Sequence, residues 1–302
     1  MKYYRLVDSF GNLSLVVETG ENQLEDITSV EEDLDDLADL LKAASYSGTP
    51  LDDLARDILA SGDPTILNID EIFNSSREGS GEYRFDRPFD PPEVWAAGVT
   101  YKNSEMERRR ESETPDVYSN VYNAERPEVF FKATADRCMG PFDDVGIRSD
   151  STWDVPEAEL AFVIFKGEIA GYTIGNDMSS RSIEGDNPLY LPQAKLYDQS
   201  CSIGPCFVSN EGIGNPQNLG VECTIVREGE TVFTGSTSTS EMARTCSEIS
   251  TWLQKSNQVP DLTTVLTGTS IVPPPEFTLR EGDTVAVTIE AIGILENNVV
   301  VV

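Results

Sequence analysis

Glu157 and Glu159 stand two residues apart at the head of an apolar run, Leu160 to Phe165. In a strand, residues i and i+2 point to the same face, so this spacing converges two carboxylates. A second strand-like run, Ile169 to Ile174, leads into Gly175-Asn176-Asp177, and its return beside the first would add Asp177 to the pair. Three carboxylates brought together want a hard divalent cation, Mg²⁺ or Mn²⁺ before Zn²⁺, with open positions for substrate. The competing reading is an edge strand of a very acidic protein, with both glutamates in solvent. The chain contains no histidine. Ser-His-Asp triads, imidazole zinc ligands and histidine bases are therefore excluded, and proton transfer falls to Glu, Asp, Lys, Tyr or water.

The E-x-E-L motif is followed by Gly171-Tyr172-Thr173, by Asn176-Asp177-Met178-Ser179-Ser180-Arg181 and by Gly204-Pro205. This succession resembles the fumarylacetoacetate hydrolase superfamily. The resemblance implies that Glu157, Glu159 and Asp177 ligate Mg²⁺ or Mn²⁺. Within the superfamily, Gly98 to Tyr101, Arg126 to Thr134 and Asn187 to Lys195 are similar to the 2-keto-3-deoxy-pentonate (xylonate or arabinonate) dehydratase branch. The match runs from about Pro91 to the C-terminus. Hydrolases of the family carry a water-activating histidine in the loop after Gly98-Val99-Thr100-Tyr101, and Ser104 stands there instead. That departure speaks against carbon–carbon hydrolysis and leaves the metal site intact.

The resemblance thus implies a hydro-lyase of oxidative pentose breakdown. It would dehydrate 2-keto-3-deoxy-D-xylonate or D-arabinonate to 2,5-dioxopentanoate. A metal chelated by the 2-oxo acid stabilises the charge that develops when a proton leaves C3, and the C4 hydroxyl departs if protonated. Lys195 and Glu128 are the candidate acid and base, with their roles left open. Lys132, Arg181, Gln193, Tyr101 and Thr267-Gly268-Thr269 resemble substrate-contacting positions, although an ion pair would equally explain Lys132. Arg181 also reads as a group orienting a metal ligand. The family further implies a homodimer or homotetramer. The rivals are an acylpyruvate-type hydrolase using the same metal and a non-catalytic oxo-acid binder.

The elements that must position these groups read as α+β, mainly β: a small α/β N-terminal domain at residues 1–75, a linker at 76–92 and a larger unit at 93–302. For the larger unit the family implies a mixed β-sandwich roll. Lys2 to Val7 and Leu13 to Glu18 read as strands around Asp8-Ser9-Phe10-Gly11-Asn12. Ser29 to Ala44 reads as a helix capped by Ser29, with Leu34, Leu37, Leu40 and Leu41 on one face. Thr49-Pro50 opens a second helix that closes at Gly62. Beyond the linker, Trp95 to Val99 is a strand, and Asn103 to Arg110 and Val117 to Ala124 are helices. Gly220 to Val226 and Thr231 to Thr234 form a hairpin, Ser240 caps a helix, and Thr284 to Ile289 and Val299 to Val302 close the chain as strands.

The 302 residues carry 53 Asp and Glu against 22 Lys and Arg, a formal charge of −31. With 39% hydrophobic residues and clear strand periodicity, the chain reads as folded and not as an acidic disordered tract. Nucleic acid is excluded as a partner, because no basic stripe meets phosphates. A surface so acidic and poor in lysine suits a salt-saturated cytoplasm, where screening relieves self-repulsion. Met1 to Arg5 lead into a strand and not a signal peptide, and no run approaches the roughly 18 apolar residues of a membrane span. Five cysteines without a C-x-x-C pair suit a reducing compartment. The expectation is a cytoplasmic enzyme acting on a small 2-oxo sugar acid.

Overall fold

The structure, a computed structural model, describes residues 1–104, 106 and 120–302. The N-terminal part supplies strands β1 (Lys2–Asp8), β2 (Leu13–Gly20), β3 (Gln23–Asp26) and β4 (Ile66–Asn68). It also supplies helices α1 (Leu37–Ser47), α2 (Leu51–Ser61) and α3 (Ile69–Glu78). There follow β5 (Tyr83–Asp86), β6 (Val94–Gly98), β7 (Glu128–Ala133), β8 (Cys138–Met139) and β9 (Asp144–Ile147). The central stretch forms β10 (Asp154–Val155), β11 (Ala158–Phe165), β12 (Glu168–Asp177) and β13 (Ser179–Ser180). Two short helices come next, α4 (Arg181–Asp186) and α5 (Leu191–Lys195), then β14 (Cys201–Ser209). The hairpin β15 (Gly220–Arg227) and β16 (Glu230–Ser238) precedes helix α6 (Cys246–Leu253). Strands β17 (Thr263–Leu266), β18 (Thr284–Ile289) and β19 (Gly293–Val301) finish the fold.

The main sheet runs β4-β3-β2-β1-β14-β12-β11-β17-β6-β7, with β5 added to β1 and β8 to β14. A second sheet, β16-β15-β18-β19-β9, packs on one of its faces. Helices α1 and α2 cover the other. Strand β11 explains the sandwich. All eight of its residues are buried, and alternation sends Leu160, Phe162 and Ile164 to one core and Ala161, Val163 and Phe165 to the other. The architecture is the expected mainly β, mixed sandwich.

The first strands join the main sheet directly, since β1 pairs antiparallel with β14 at Tyr3↔Phe207. Residues 76–92, read as a linker, contain the end of α3 and β5, which pairs with β1 at Arg5↔Asp86. The first helix begins at Leu37 and not at Ser29. Asp36 takes the extended cap geometry (φ −133°, ψ 149°) and accepts from Ala38 N at 2.6 Å. Ser29 instead ties Asp26 O to Thr65 N. Thr245, and not Ser240, caps α6 by accepting from Glu248 N at 3.1 Å. Most of the two helices expected at 103–110 and 117–124 lies outside the described residues.

Candidate metal centre

Antiparallel pairing of β11 with β12 sets Ala158 opposite Asn176, and Asp177 N donates to Glu157 O at 3.0 Å. That register delivers Asp177 beside the Glu157/Glu159 pair. Ligand oxygens of Glu157, Glu159 and Asp177 all lie within 4.8 Å of one another, on buried side chains. The edge-strand alternative, with these glutamates in solvent, is therefore set aside: Glu159 is 1% exposed.

Among the described residues, three cations contact the cluster. Lys195, at the end of α5, donates to Asp177 Oδ2 at 2.8 Å and Ser179 Oγ at 2.6 Å, and lies 3.0 Å from Glu157 Oε2. Lys132 Nζ donates to the carbonyls of Met178 (2.8 Å) and Lys195, and approaches Asp177 Oδ1 at 2.7 Å without hydrogen-bond alignment. Arg181 Nη2 lies 3.2 Å from Glu157 Oε1. Gly268 N donates to Glu159 Oε2 at 2.5 Å. Gly268 has φ +89°, and a Cβ there would fall 2.1 Å from Thr100 Oγ1, so only glycine brings this amide so close.

Burial, and then the negative charges of Asp177 and Glu157, push the Glu159 carboxyl well above its usual range, against the pull of Lys195 and the Gly268 N–H. A bound cation would stabilise the ionised form of so buried a carboxylate group. Its donors are oxygens alone, which fits Mg²⁺ or Mn²⁺ and offers none of the thiolate or imidazole ligands typical of zinc.

A cavity opens beside this cluster. Glu157, Asp177 and Lys195 form one side, with Gly268 and Thr269 adjoining. Glu128, the first residue of β7, and Ser104 border it as well. The other expected contacts stand elsewhere. Lys132 and Arg181 are buried against the carboxylates and are not among the lining residues, and Tyr101 is buried near Glu159, where burial and that charge raise its hydroxyl. Thr267 donates its hydroxyl to Leu160 O and accepts from Thr100 Oγ1 at its carbonyl. Gln193 is exposed and outside the cavity lining, because the short helix α5 that turns Lys195 inward turns Gln193 out. Phe130, Leu191 and Glu184 line the cavity without having been singled out from sequence. Arg181 and Glu184 are three apart, the helical spacing that signals neighbouring side chains. Gly204-Pro205, the last piece of the motif succession, lies inside β14, and Pro205 borders a separate cleft with Tyr4, Phe73 and Phe85.

Known proteins share the sequence and fold of this chain. Residues 93–300 match the family model for the fumarylacetoacetate (FAA) hydrolase C-terminal region. A probable 2-keto-3-deoxyxylonate dehydratase of Haloferax volcanii is 50% identical over 277 residues, 92% of each chain. The 2-dehydro-3-deoxy-D-arabinonate dehydratase of Saccharolobus solfataricus is 45% identical over 222 residues, 71% of this chain and 74% of that one. A solved structure of 2-keto-3-deoxy-D-arabinonate dehydratase complexed with magnesium and 2,5-dioxopentanoate superposes with a TM-score of 0.85 at 35% identity, covering 100% of this chain and 99% of the other. The chain belongs to the fumarylacetoacetate hydrolase family.

Proposed function

We propose that this protein is a Mg²⁺- or Mn²⁺-dependent hydro-lyase that converts 2-keto-3-deoxy-D-xylonate or D-arabinonate to 2,5-dioxopentanoate and water. The carrying observation is Lys195, held within 3.0 Å of Glu157 and 2.8 Å of Asp177 in the cavity that Glu128 borders. The activities named for the relatives support it. In the net reaction one proton leaves C3 and the hydroxyl leaves C4. Tautomerisation then reduces C4 to a methylene and oxidises the C5 carbinol to an aldehyde, so no external oxidant is needed.

Glu157, Glu159 and Asp177 would hold the divalent cation, which when bound supplies a Lewis acid for the 2-oxo acid. The remaining work falls to the protein's own groups. Lys195 and Glu128 handle two protons, the one leaving C3 and the one that departs with the C4 hydroxyl. Lys132 holds the Lys195 carbonyl and the Met178 carbonyl in one place, which fixes the end of α5 against the end of β12. Arg181 holds Glu157 in orientation. Ser104, in the position of the hydrolases' histidine, borders the cavity but offers no base of useful pKa. The chemistry resides in residues 93–302, and we take the assembly to be a homodimer or homotetramer. The five buried, unpaired cysteines support a reducing, cytoplasmic setting.

Incubation of the protein with each C4 epimer and Mg²⁺, followed by product identification, tests the proposal. The expected product is 2,5-dioxopentanoate, with negligible cleavage of acylpyruvates. Lys195→Ala should lower kcat by about 10²-fold or more. Acylpyruvate cleavage faster than dehydration would overturn the proposal in favour of a hydrolase.

A further inference from the structure

Helix α6 and the residues just before it hold the chain right after β6 and right before β7, the two strands whose paired ends border the cavity. On the β6 side, Ala243 N donates to Thr100 O at 2.8 Å, and Met242 makes a β-bridge with Tyr101. On the β7 side, Arg244 Nη1 donates to Glu125 O at 3.1 Å and Nη2 donates to Ala124 O. Arg244 Nη1 also donates to Glu248 Oε1 at 2.6 Å, in the first turn of α6. Further along the helix, the Arg126 guanidinium lies 4.5 Å from the centre of the Trp252 ring. The base of this grip is fixed. Cys246, Ile249 and Leu253 are buried in the core, and Cys246 N donates to Gln217 Oε1 at 3.0 Å.

We infer that Arg244 is a positioning residue for Glu128. Its guanidinium ties two carbonyls that lead into β7 to the core-anchored α6, and so sets where the Glu128 carboxylate stands in the cavity. The link from Glu125 to Glu128 is short and stiff, because the intervening Pro127 is buried and its ring fixes φ. The fit at the receiving end is close: Gly98 pairs with Glu128, and a Cβ on Gly98 would fall 2.1 Å from Glu128 Oε2. A shift at the start of β7 therefore moves the carboxylate directly. Helix stability does not account for Arg244, which stands one residue ahead of the Thr245 cap, where the helix dipole disfavours a cation. Side-chain shape does account for it, since a planar fork presents two nitrogens to two successive carbonyls and lysine offers one. The inference rests on the proposed role of Glu128 in proton handling.

A double-mutant cycle on the full chain tests this, with Arg244→Ala and Glu128→Gln made singly and together. Dehydration rates are measured with Mg²⁺ and the C4 epimer that the wild type turns over. Arg244→Ala should lower kcat by about 10- to 100-fold, the scale of a displaced group, while Mg²⁺ affinity by calorimetry stays unchanged. Glu128→Gln should keep a measurable rate, since loss of an acid or base costs about 10²- to 10⁴-fold. In that background Arg244→Ala should cause no further loss. Arg244→Lys keeps the charge beside Glu248 and takes the place of Arg244→Ala in the cycle if alanine prevents folding. A wild-type rate in the Arg244 variant, an equal loss in both backgrounds, or a fall in Mg²⁺ affinity alongside kcat overturns the positioning role alone. A wild-type rate in Glu128→Gln overturns the proposed role of Glu128 and this inference with it.

Discussion

Glu128 opens β7 opposite Gly98, the last residue of β6. A Cβ at Gly98 would lie 2.1 Å from Glu128 Oε2 and 2.8 Å from its Cδ. The missing side chain is therefore the space that the carboxylate occupies. Alanine at this position moves Glu128 without deleting it. For Gly98→Ala we expect kcat to fall by about 10²-fold, the scale of a displaced acid or base, with a melting temperature close to that of the wild type. Steady-state kinetics beside a thermal melt checks this, and a wild-type kcat would remove Glu128 from the proton-handling pair. Glu159 supports a sharper expectation. Glutamine there can still accept the Gly268 N–H, so the fold is kept while one anionic ligand is lost. Mg²⁺ affinity of Glu159→Gln should drop by at least about 10- to 100-fold, the loss seen even for partners of a ligand. Calorimetric titration measures it, and full activity of the wild type after exhaustive chelation would contradict the metal assignment.

At the scale of elements, the centre was readable because polar residues stand where two apolar runs begin and end. Glu157 immediately precedes β11 and Glu159 is its second residue, Asp177 ends β12, and a period of two says which way each points. Glu184 was not readable in this way. Its helix spans only Arg181–Asp186, too few turns for a periodicity to declare a face. The start of α1 was hidden by abundance: Ser29, Asp33, Asp35 and Asp36 can all cap, and only the packing of Leu37, Leu40 and Leu41 selects Asp36. Strand β5 is four residues long and flanked by polar sequence, so its pairing with β1 decides what composition could not. Strand β10 carries a testable strain of its own. Burial pushes the Asp154 carboxyl up to about 6, against the influence of Ser151 and Arg148, and its Oδ1 has no hydrogen-bond partner among the described residues. A carboxyl whose folded pKa is raised contributes stability that is full below the unfolded value near 3.8 and is lost as pH rises through about 6. Above pH 7 the folded state therefore bears an unfavourable buried charge. Asp154→Asn should be more stable than wild type at pH 8, by about 2–3 kcal/mol at most, and the difference should shrink towards pH 4. Denaturant melts at both pH values measure it, and a variant less stable at pH 8 would rule this reading out.

For the whole molecule, charge sets the terms. Its 31 excess negative charges over 12972 Å² of surface sit roughly 20 Å apart, inside the Debye length of about 30 Å at 0.01 M salt and far outside the roughly 3 Å at 1 M. In dilute buffer each excess charge thus feels its neighbours, and compaction works against their repulsion. Salt bridges cannot offset this, because acids outnumber bases by more than two to one. Several of the basic groups are already engaged internally: Arg5 with Asp36, Asp86 and Asp90, and Lys132, Lys195 and Arg181 at the carboxylate centre. The buried pairs at the carboxylate centre are screened little by salt, whereas the surface repulsion is screened strongly. Added salt should therefore remove the unfavourable part while leaving the favourable part in place. Because β1 and β14 bond the N-terminal strands into the sheet that carries the site, the effect should reach the whole fold in one transition. We expect the melting temperature to rise steeply as KCl increases from dilute buffer to 1 M, with activity following the folded fraction. Calorimetry across that range gives the curve, and a melting temperature flat from dilute buffer to molar salt would show that surface repulsion does not limit this protein's stability.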